Sequence, residues 1–339
     1  MNAREIERKL IRKLAKAKAF LTVTGKAQSV KEITTNEITF TTAAGSKTNK
    51  IKRSKLRKAI SFFTDVKTVT RKQLEAFTAF TSALFGLLKT LNVRVSMTAS
   101  GMIRITLQGV RYVFAGVDRS PRDMRIAAAQ GAKHFLMSYY SIKDRKAWKQ
   151  HALDLGVKIV LDSGAYSAWT KGAQLCVKEY CAFIKEHAAI LQSYFTLDVI
   201  GDPEATAANT AYMRAQGLQP TPVYHVQSDI SVLAGIVSEG HSLIGIGGSA
   251  KMDKAERMAK LAEVFAAFPD QNFHLLAGGS ADILNAFAWY SADATTWIKA
   301  RKYNVIVDEA GQRKDPSRDP LECLAYTVRY YLTLEGCVA

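Results

Sequence analysis

Three aspartates stand where apolar chain would otherwise run uninterrupted. Asp162 lies in KIVLDSG (158–164), Asp198 in YFTLDVI (194–200) and Asp293 in ADATTW (292–297). A carboxylate inside an apolar strand must be paired, hydrogen-bonded or functional, and three of them together are hard to assign to structure alone. Positioned carboxyl groups carry protons or act as nucleophiles. Other runs end in His225 and Gln227 (TPVYHVQ, 221–227), in Gly247-Gly248 (SLIGIGG, 242–248) and in Gly278-Gly279 (after NFHLLA). His225 has two readings, a ring satisfied by a backbone carbonyl or a contact to substrate. His134 and His274 come early in their runs, away from the expected site, and read as structural. Asp202 before Pro203 and Asp229 before Ile230 have the form of helix N-caps.

The elements that must position these residues follow from the alternation of the chain. With YVFAGV (112–117) and HFLMSYY (134–140), eight short apolar runs are each followed by a helix-compatible segment. Such alternation implies parallel strands, and eight units within residues 111–339 fit a closed (β/α)8 TIM barrel, an α/β fold. A doubly wound open sheet is the alternative. No G-x-G-x-x-G or G-x-x-x-x-G-K-[ST] follows any run, which weakens its nucleotide-binding version. In a barrel the C-terminal strand ends share one mouth, so Asp162, Asp198 and Asp293 would open onto it together.

Of 339 residues 48% are hydrophobic and 23% charged, a globular composition, but the net charge is +17. Residues 1–110 hold 22 Lys and Arg against 6 Asp and Glu, whereas residues 111–339 hold 25 against 24. A basic module precedes a neutral one, and nucleic acid is the default partner for such charge. Residues 3–20 place Ile6, Leu10, Leu14 and Ala17 on one helical stripe, readable as a docked, a phosphate-tracking or a membrane-surface helix. Residues 33–42 read as a strand, 93–107 as a hairpin around Gly101, and Thr70 as the cap of a helix reaching about Leu91. The densest basic run is Lys47, Lys50, Lys52, Arg53, Lys55, Arg57 and Lys58, the expected nucleic-acid contact. Residues 1–110 are therefore expected to form a small basic α+β domain ahead of a catalytic barrel at 111–339. The four cysteines form no C-x2-C pair and no disulfide framework, so neither a structural zinc nor an oxidising compartment is expected. No apolar run approaches the roughly 20 residues that span a bilayer.

Leu161-Asp162-Ser163-Gly164-Ala165-Tyr166 resembles the D-S-G-G-[FY] motif of tRNA-guanine transglycosylases. The likeness continues in order: Asp198 at the base-recognition aspartate, Val226-Gln227 at the V-Q pair, Ile246-Gly247-Gly248 at the G-G segment, residues 274–284 at L-M-G-V-G-x-x-x-D-L-L, and Asp293 in Ala292–Trp297 at the nucleophile. It covers roughly 155–300. The departures are Ala165 for the motif's second glycine, Ser167 for its glutamine, and the missing C-x-C-x-x-C…H zinc motif: only Cys323 and Cys337 come later, and no His follows His274. The pattern without zinc ligands resembles the phage and bacterial branch, the DpdA family, that inserts 7-deazaguanines into DNA.

The resemblance implies base exchange at C1′ by double displacement, on the logic of a retaining glycosidase. Asp293 is the implied nucleophile and Asp162 the proton carrier. Asp198 would read the guanine edge, with Gln227, Gly247, Gly248, Ser163 and His225 around the base and Tyr166 and Leu276 sandwiching it. No cofactor is implied. The partners would be DNA, or tRNA as the runner-up, and a free 7-deazaguanine, and the setting the cytoplasm, a host's if phage-encoded. Competing readings are an RNA-directed transglycosylase, a non-catalytic DNA-binding subunit and a base-excising glycosylase.

Overall fold

The computed structural model describes residues 3–42, 48–98, 101–145 and 147–335. Lys47 of the basic run lies outside them. The chain divides into two compact units between Gly109 and Val110.

The first unit is α+β. Its leading helix, Ala3–Ala17, buries Ile6, Leu10 and Leu14 in the unit's own core, while Ala17 stays exposed. Burying such side chains stabilises by roughly 1.5–3 kcal/mol each, and it removes the stripe from any membrane surface. Four antiparallel strands follow in order: Ala19–Leu21, Ala27–Ile33, Glu37–Thr42 and Thr48–Lys52. The expected single strand over 33–42 is thus the end of one strand, a turn and the next strand. The Thr34 hydroxyl accepts the N–H groups of Asn36 and Glu37, which breaks the run locally. The expected helix from Thr70 to Leu91 is also divided. Thr68–Thr70 is a strand, Lys72–Ala76 a 3-10 turn, and only Thr81–Lys89 an α-helix. The Thr78 hydroxyl takes the N–H of Phe80 at the break. The hairpin Val93–Met97 and Ile103–Leu107 forms as expected and completes a three-stranded sheet with Thr68–Thr70.

The second unit carries eight parallel strands: Arg111–Ala115, His134–Ser138, Lys158–Asp162, Leu191–Tyr194, Val223–His225, Ile244–Gly247, Phe273–Leu275 and Ser291–Ala294. The eighth pairs with the first, Asp293 opposite Val113. The fourth and fifth meet at a parallel bridge, Phe195 to Thr221, with Thr221 N–H on the Tyr194 carbonyl at 2.8 Å and Thr196 N–H on the Thr221 carbonyl at 2.9 Å. That bridge closes the ring, so the open sheet is set aside.

The two-residue period of a strand sorts the side chains into two layers. Phe114, Phe135, Ile159, Leu161, Tyr224, Ile246, Leu275 and Ala292 belong to the large cluster shared with the helices. Val113, Ala115, Leu136, Val160, Phe195 and Val223 form a separate small cluster that fills the barrel. Gly245 leaves room there, since a Cβ would lie 3.0 Å from the Phe195 ring. Continuing the inward register one pleat upward reaches Ser138, Asp162, His225, Gly247 and Asp293. The helices start behind these ends, and the two expected caps are present: Asp202 accepts from Ala205 N–H at 2.9 Å and Asp229 from Ser231 N–H at 2.8 Å. Among the described residues no helix is long and apolar enough to cross a membrane.

Candidate active site

Asp293 sits on the eighth parallel strand, Ser291–Ala294, 6% exposed. One of its oxygens, Oδ1, accepts the Ala277 N–H at 3.1 Å and lies 3.2 Å from His274 Nε2. The other ring nitrogen of His274 meets the Ser291 hydroxyl at 2.8 Å. Ser291, His274 and Asp293 therefore form one chain of contacts, in which the histidine orients the carboxylate. This corrects the expectation that His274 is remote. Its strand is only three residues long, so a mid-strand ring reaches the mouth. Ala277 adopts φ 55°, a left-handed backbone that costs a non-glycine residue energy, and there its N–H meets the carboxylate.

Asp162 ends the third strand. The Gly164 N–H donates to its Oδ2 at 2.8 Å. Gly164 has φ 76°, and a Cβ there would lie 2.3 Å from Ser138 Oγ, so both conformation and space demand glycine. Burial, reinforced by the nearby carboxylates of Asp198 and Asp293, pushes the Asp162 carboxyl up to about 8. At neutral pH it holds a proton.

Asp198 lies four residues past its strand, which ends at Tyr194 rather than running to 200 as expected. The chain turns inward after the Phe195 bridge and brings the carboxylate to the mouth, where both oxygens are engaged. Ser163 Oγ donates to Oδ1 at 2.9 Å, and His225 Nε2 lies 2.9 Å from Oδ2. His225 is thus satisfied by a carboxylate, not by a backbone carbonyl. Its ring leans over Gly247, where a Cβ would meet it at 2.7 Å. Gln227 is tied to the rim, its Nε2 donating to the Gly248 carbonyl at 2.6 Å. A Cβ on Gly248 would strike the Gln227 amide. Leu276 packs half-buried on the interior cluster. Tyr166 stands at the rim on the short helix Ala165–Trp169, with Lys251 Nζ 5.2 Å from its ring centre.

Two residues at the mouth escaped the sequence reading. Asp118 follows the first strand, just past the apolar run that ends at Val117. It accepts the Ser138 N–H at 3.2 Å, and burial pushes its carboxyl up to about 6. Its signal was an aspartate directly after an apolar run, as at Asp162. Ser138 has a buried hydroxyl with no hydrogen-bond partner among the described residues. No comparable signal marked it.

The basic run of the first unit is partly engaged by acids. Glu7, 2% exposed, holds Arg53 at 2.7 Å and Arg57 at 3.2 Å, and Glu37 holds Lys50 at 2.6 Å. Lys52, Lys55 and Lys58 are exposed.

No protein-family model and no curated protein matches the sequence. Among solved structures, the chain is similar to the tryptophan synthase α-subunit of Pyrococcus furiosus at 12% identity, covering 67% of this chain and 99% of that one, with a TM-score of 0.43. Tryptophan synthase from M. tuberculosis gives 12% identity, 67% and 93% coverage and a TM-score of 0.43. A protein from Aquifex aeolicus VF5 gives 14%, 69% and 95%, with a TM-score of 0.43. At these values the likeness carries nothing about chemistry, and the barrel stands on its own strand pairing.

Proposed function

We propose that the chain is a base-exchanging enzyme of the guanine transglycosylase type. Its proposed substrate is DNA, in which it replaces guanine by a 7-deazaguanine. The observation that carries the reading is the contrast between two carboxyl groups at one mouth. Asp162 is buried among carboxylates and retains its proton near neutrality. Asp293 is surrounded by an amide N–H and an imidazole, partners suited to an acceptor-only carboxylate. A carboxyl whose surroundings keep its proton suits the acid, and one met by hydrogen-bond donors suits the nucleophile.

A carboxylate oxygen of Asp293 attacks C1′ of the nucleotide and the N-glycosidic bond breaks. Its electron pair leaves on the guanine, which takes the proton of Asp162. The glycosyl ester is then opened by the ring nitrogen of the incoming 7-deazaguanine, whose proton returns to Asp162, and Asp293 is released as carboxylate. Two displacements retain the configuration. Asp198, fixed by Ser163 and His225, has remaining lone pairs for donors on the guanine edge. The resemblance to the branch without zinc ligands, and the lysines exposed on the first unit, favour DNA as the polymer.

The test is incubation of the protein with radiolabelled guanine or a 7-deazaguanine and either DNA or tRNA, followed by nucleoside mass spectrometry. Exchange is expected into DNA, together with a denaturation-resistant protein–DNA adduct, and both should vanish in Asp293→Asn. Exchange into tRNA alone would replace the polymer. Full activity in Asp293→Asn would overturn the mechanism.

A further inference from the structure

Trp169 has no part in the base exchange, and it is 59% exposed. The other three tryptophans, Trp148, Trp289 and Trp297, are at most 5% exposed. A single exposed apolar side chain is ordinary, but this one is not alone. Tyr166, one turn earlier on the same short helix, is 44% exposed with its ring centre 6.0 Å from that of Trp169. Cations accompany the group. Lys251 Nζ lies 5.2 Å from the Tyr166 ring centre, and Lys171, two residues beyond Trp169, lies 5.2 Å from that of Tyr140. All stand on segments that follow barrel strands, at the same end as Asp162 and Asp198.

Exposed aromatic faces interleaved with lysines recognise unpaired nucleic acid, with bases stacking on rings and phosphates meeting cations. Charge complementarity selects this occupant over an apolar protein surface, because Lys171 and Lys251 place positive charge against the Tyr140 and Tyr166 rings. The spacing adds a constraint. Stacked bases follow at about 3.4 Å, whereas the two rings are 6.0 Å apart. Two successive bases resting on Tyr166 and Trp169 must therefore be unstacked from each other.

We propose that Trp169, with Lys171, forms a second base subsite that takes the nucleotide next to the exchanged one, so that the substrate strand is unpaired at two or more consecutive positions. This rests on the transglycosylase reading for what occupies the mouth, but its test does not require turnover.

Because Trp169 is the one exposed tryptophan, intrinsic fluorescence reports on it directly. Oligo(dT), which contains no guanine, should quench the full-length protein's emission, and heparin at equal charge should not. Read by anisotropy of dye-labelled oligo(dT), which needs no tryptophan, Trp169→Ala should weaken binding about tenfold, as loss of one stacked base predicts, while duplex affinity changes less than twofold. Trp169→Phe should recover most of the loss. Equal quenching by heparin, or unchanged oligo(dT) affinity in Trp169→Ala, would overturn the subsite. If oligo(dT) quenching and the Trp169→Ala loss appear without any base exchange, the subsite stands and the transglycosylase reading falls.

Discussion

Replacing Asp162 by asparagine should make the protein more stable at neutral pH while ending base exchange. The wild-type carboxyl is held at about 8 against an ordinary 3.8, first by burial and then by the carboxylates of Asp198 and Asp293. A folded-state value above the unfolded one means that the folded protein binds the proton more tightly. The stability this contributes is fully present below about pH 3.8 and is lost as pH rises through about 8. At roughly 1.4 kcal/mol per unit the ceiling is about 6 kcal/mol. The residue is not wholly sealed from the mouth, so water screens part of this, and about 2 kcal/mol is the expected gain near pH 7.5. Asparagine keeps an acceptor for the Gly164 N–H and removes the ionisation. For a unit of this size that gain raises the melting temperature by about 4–8 °C. Calorimetry of both proteins from pH 4.5 to 8.5 measures it, with the gap between them small at the acid end and widening upward. A gap that is constant across the range, or a variant less stable throughout, would refute the assignment of Asp162 as a carboxyl held protonated by its surroundings.

Removing the imidazole partner of the proposed nucleophile tests positioning: His274→Ala should lower kcat for exchange while leaving KM for the free base nearly unchanged, since the imidazole touches Asp293, and should cost about 1–3 kcal/mol of stability by leaving a buried carboxylate one partner short. In the first unit, reversing Lys52, Lys55 and Lys58 together should flatten the slope of log affinity against log salt by about 0.9 per lost phosphate contact on duplex DNA, with folding intact; an unchanged slope would show that these lysines do not meet phosphate. Arg53→Ala should instead destabilise the unit by about 3–5 kcal/mol in denaturant titration, because Glu7 is buried against it.

What could be read in advance depended on how local the cause was. The barrel strands were legible because each is a short apolar run between turn residues, and Asp162 and Asp293 stood out as carboxyl groups inside such runs. The fourth strand was misplaced because Tyr194 and Phe195 look like its start, whereas it runs Leu191–Tyr194 and Phe195 begins the bridge that closes the ring. The helix expected from Thr70 was apolar on most faces, but periodicity does not register a hydroxyl at Thr78 that competes for a backbone N–H. Glu7 was invisible as the partner of Arg53 and Arg57, since 46 and 50 residues of chain separate them. His274 was discounted on its place in the sequence run, and only the brevity of its strand shows why it reaches Asp293.

The mouth poses an electrostatic problem on the proposed reading, because it gathers Asp118, Asp162, Asp198 and Asp293 where a polyanion must approach. Each carboxylate left ionised there repels phosphate, and in a cleft with low-dielectric walls that field extends outward. The raised value at Asp162 answers part of it. The burial and neighbouring charge that make this residue a proton donor also remove one negative charge from the mouth at neutral pH. Ser163 and His225 on Asp198, and His274 with the Ala277 N–H on Asp293, set polar partners around the other two carboxyl groups. Lys171 and Lys251 then place positive charge at the rim, beside the aromatic faces where the strand would lie. Acid strength, substrate attraction and lost stability at Asp162 thus share one cause, and a substitution that relieves the last should weaken the first.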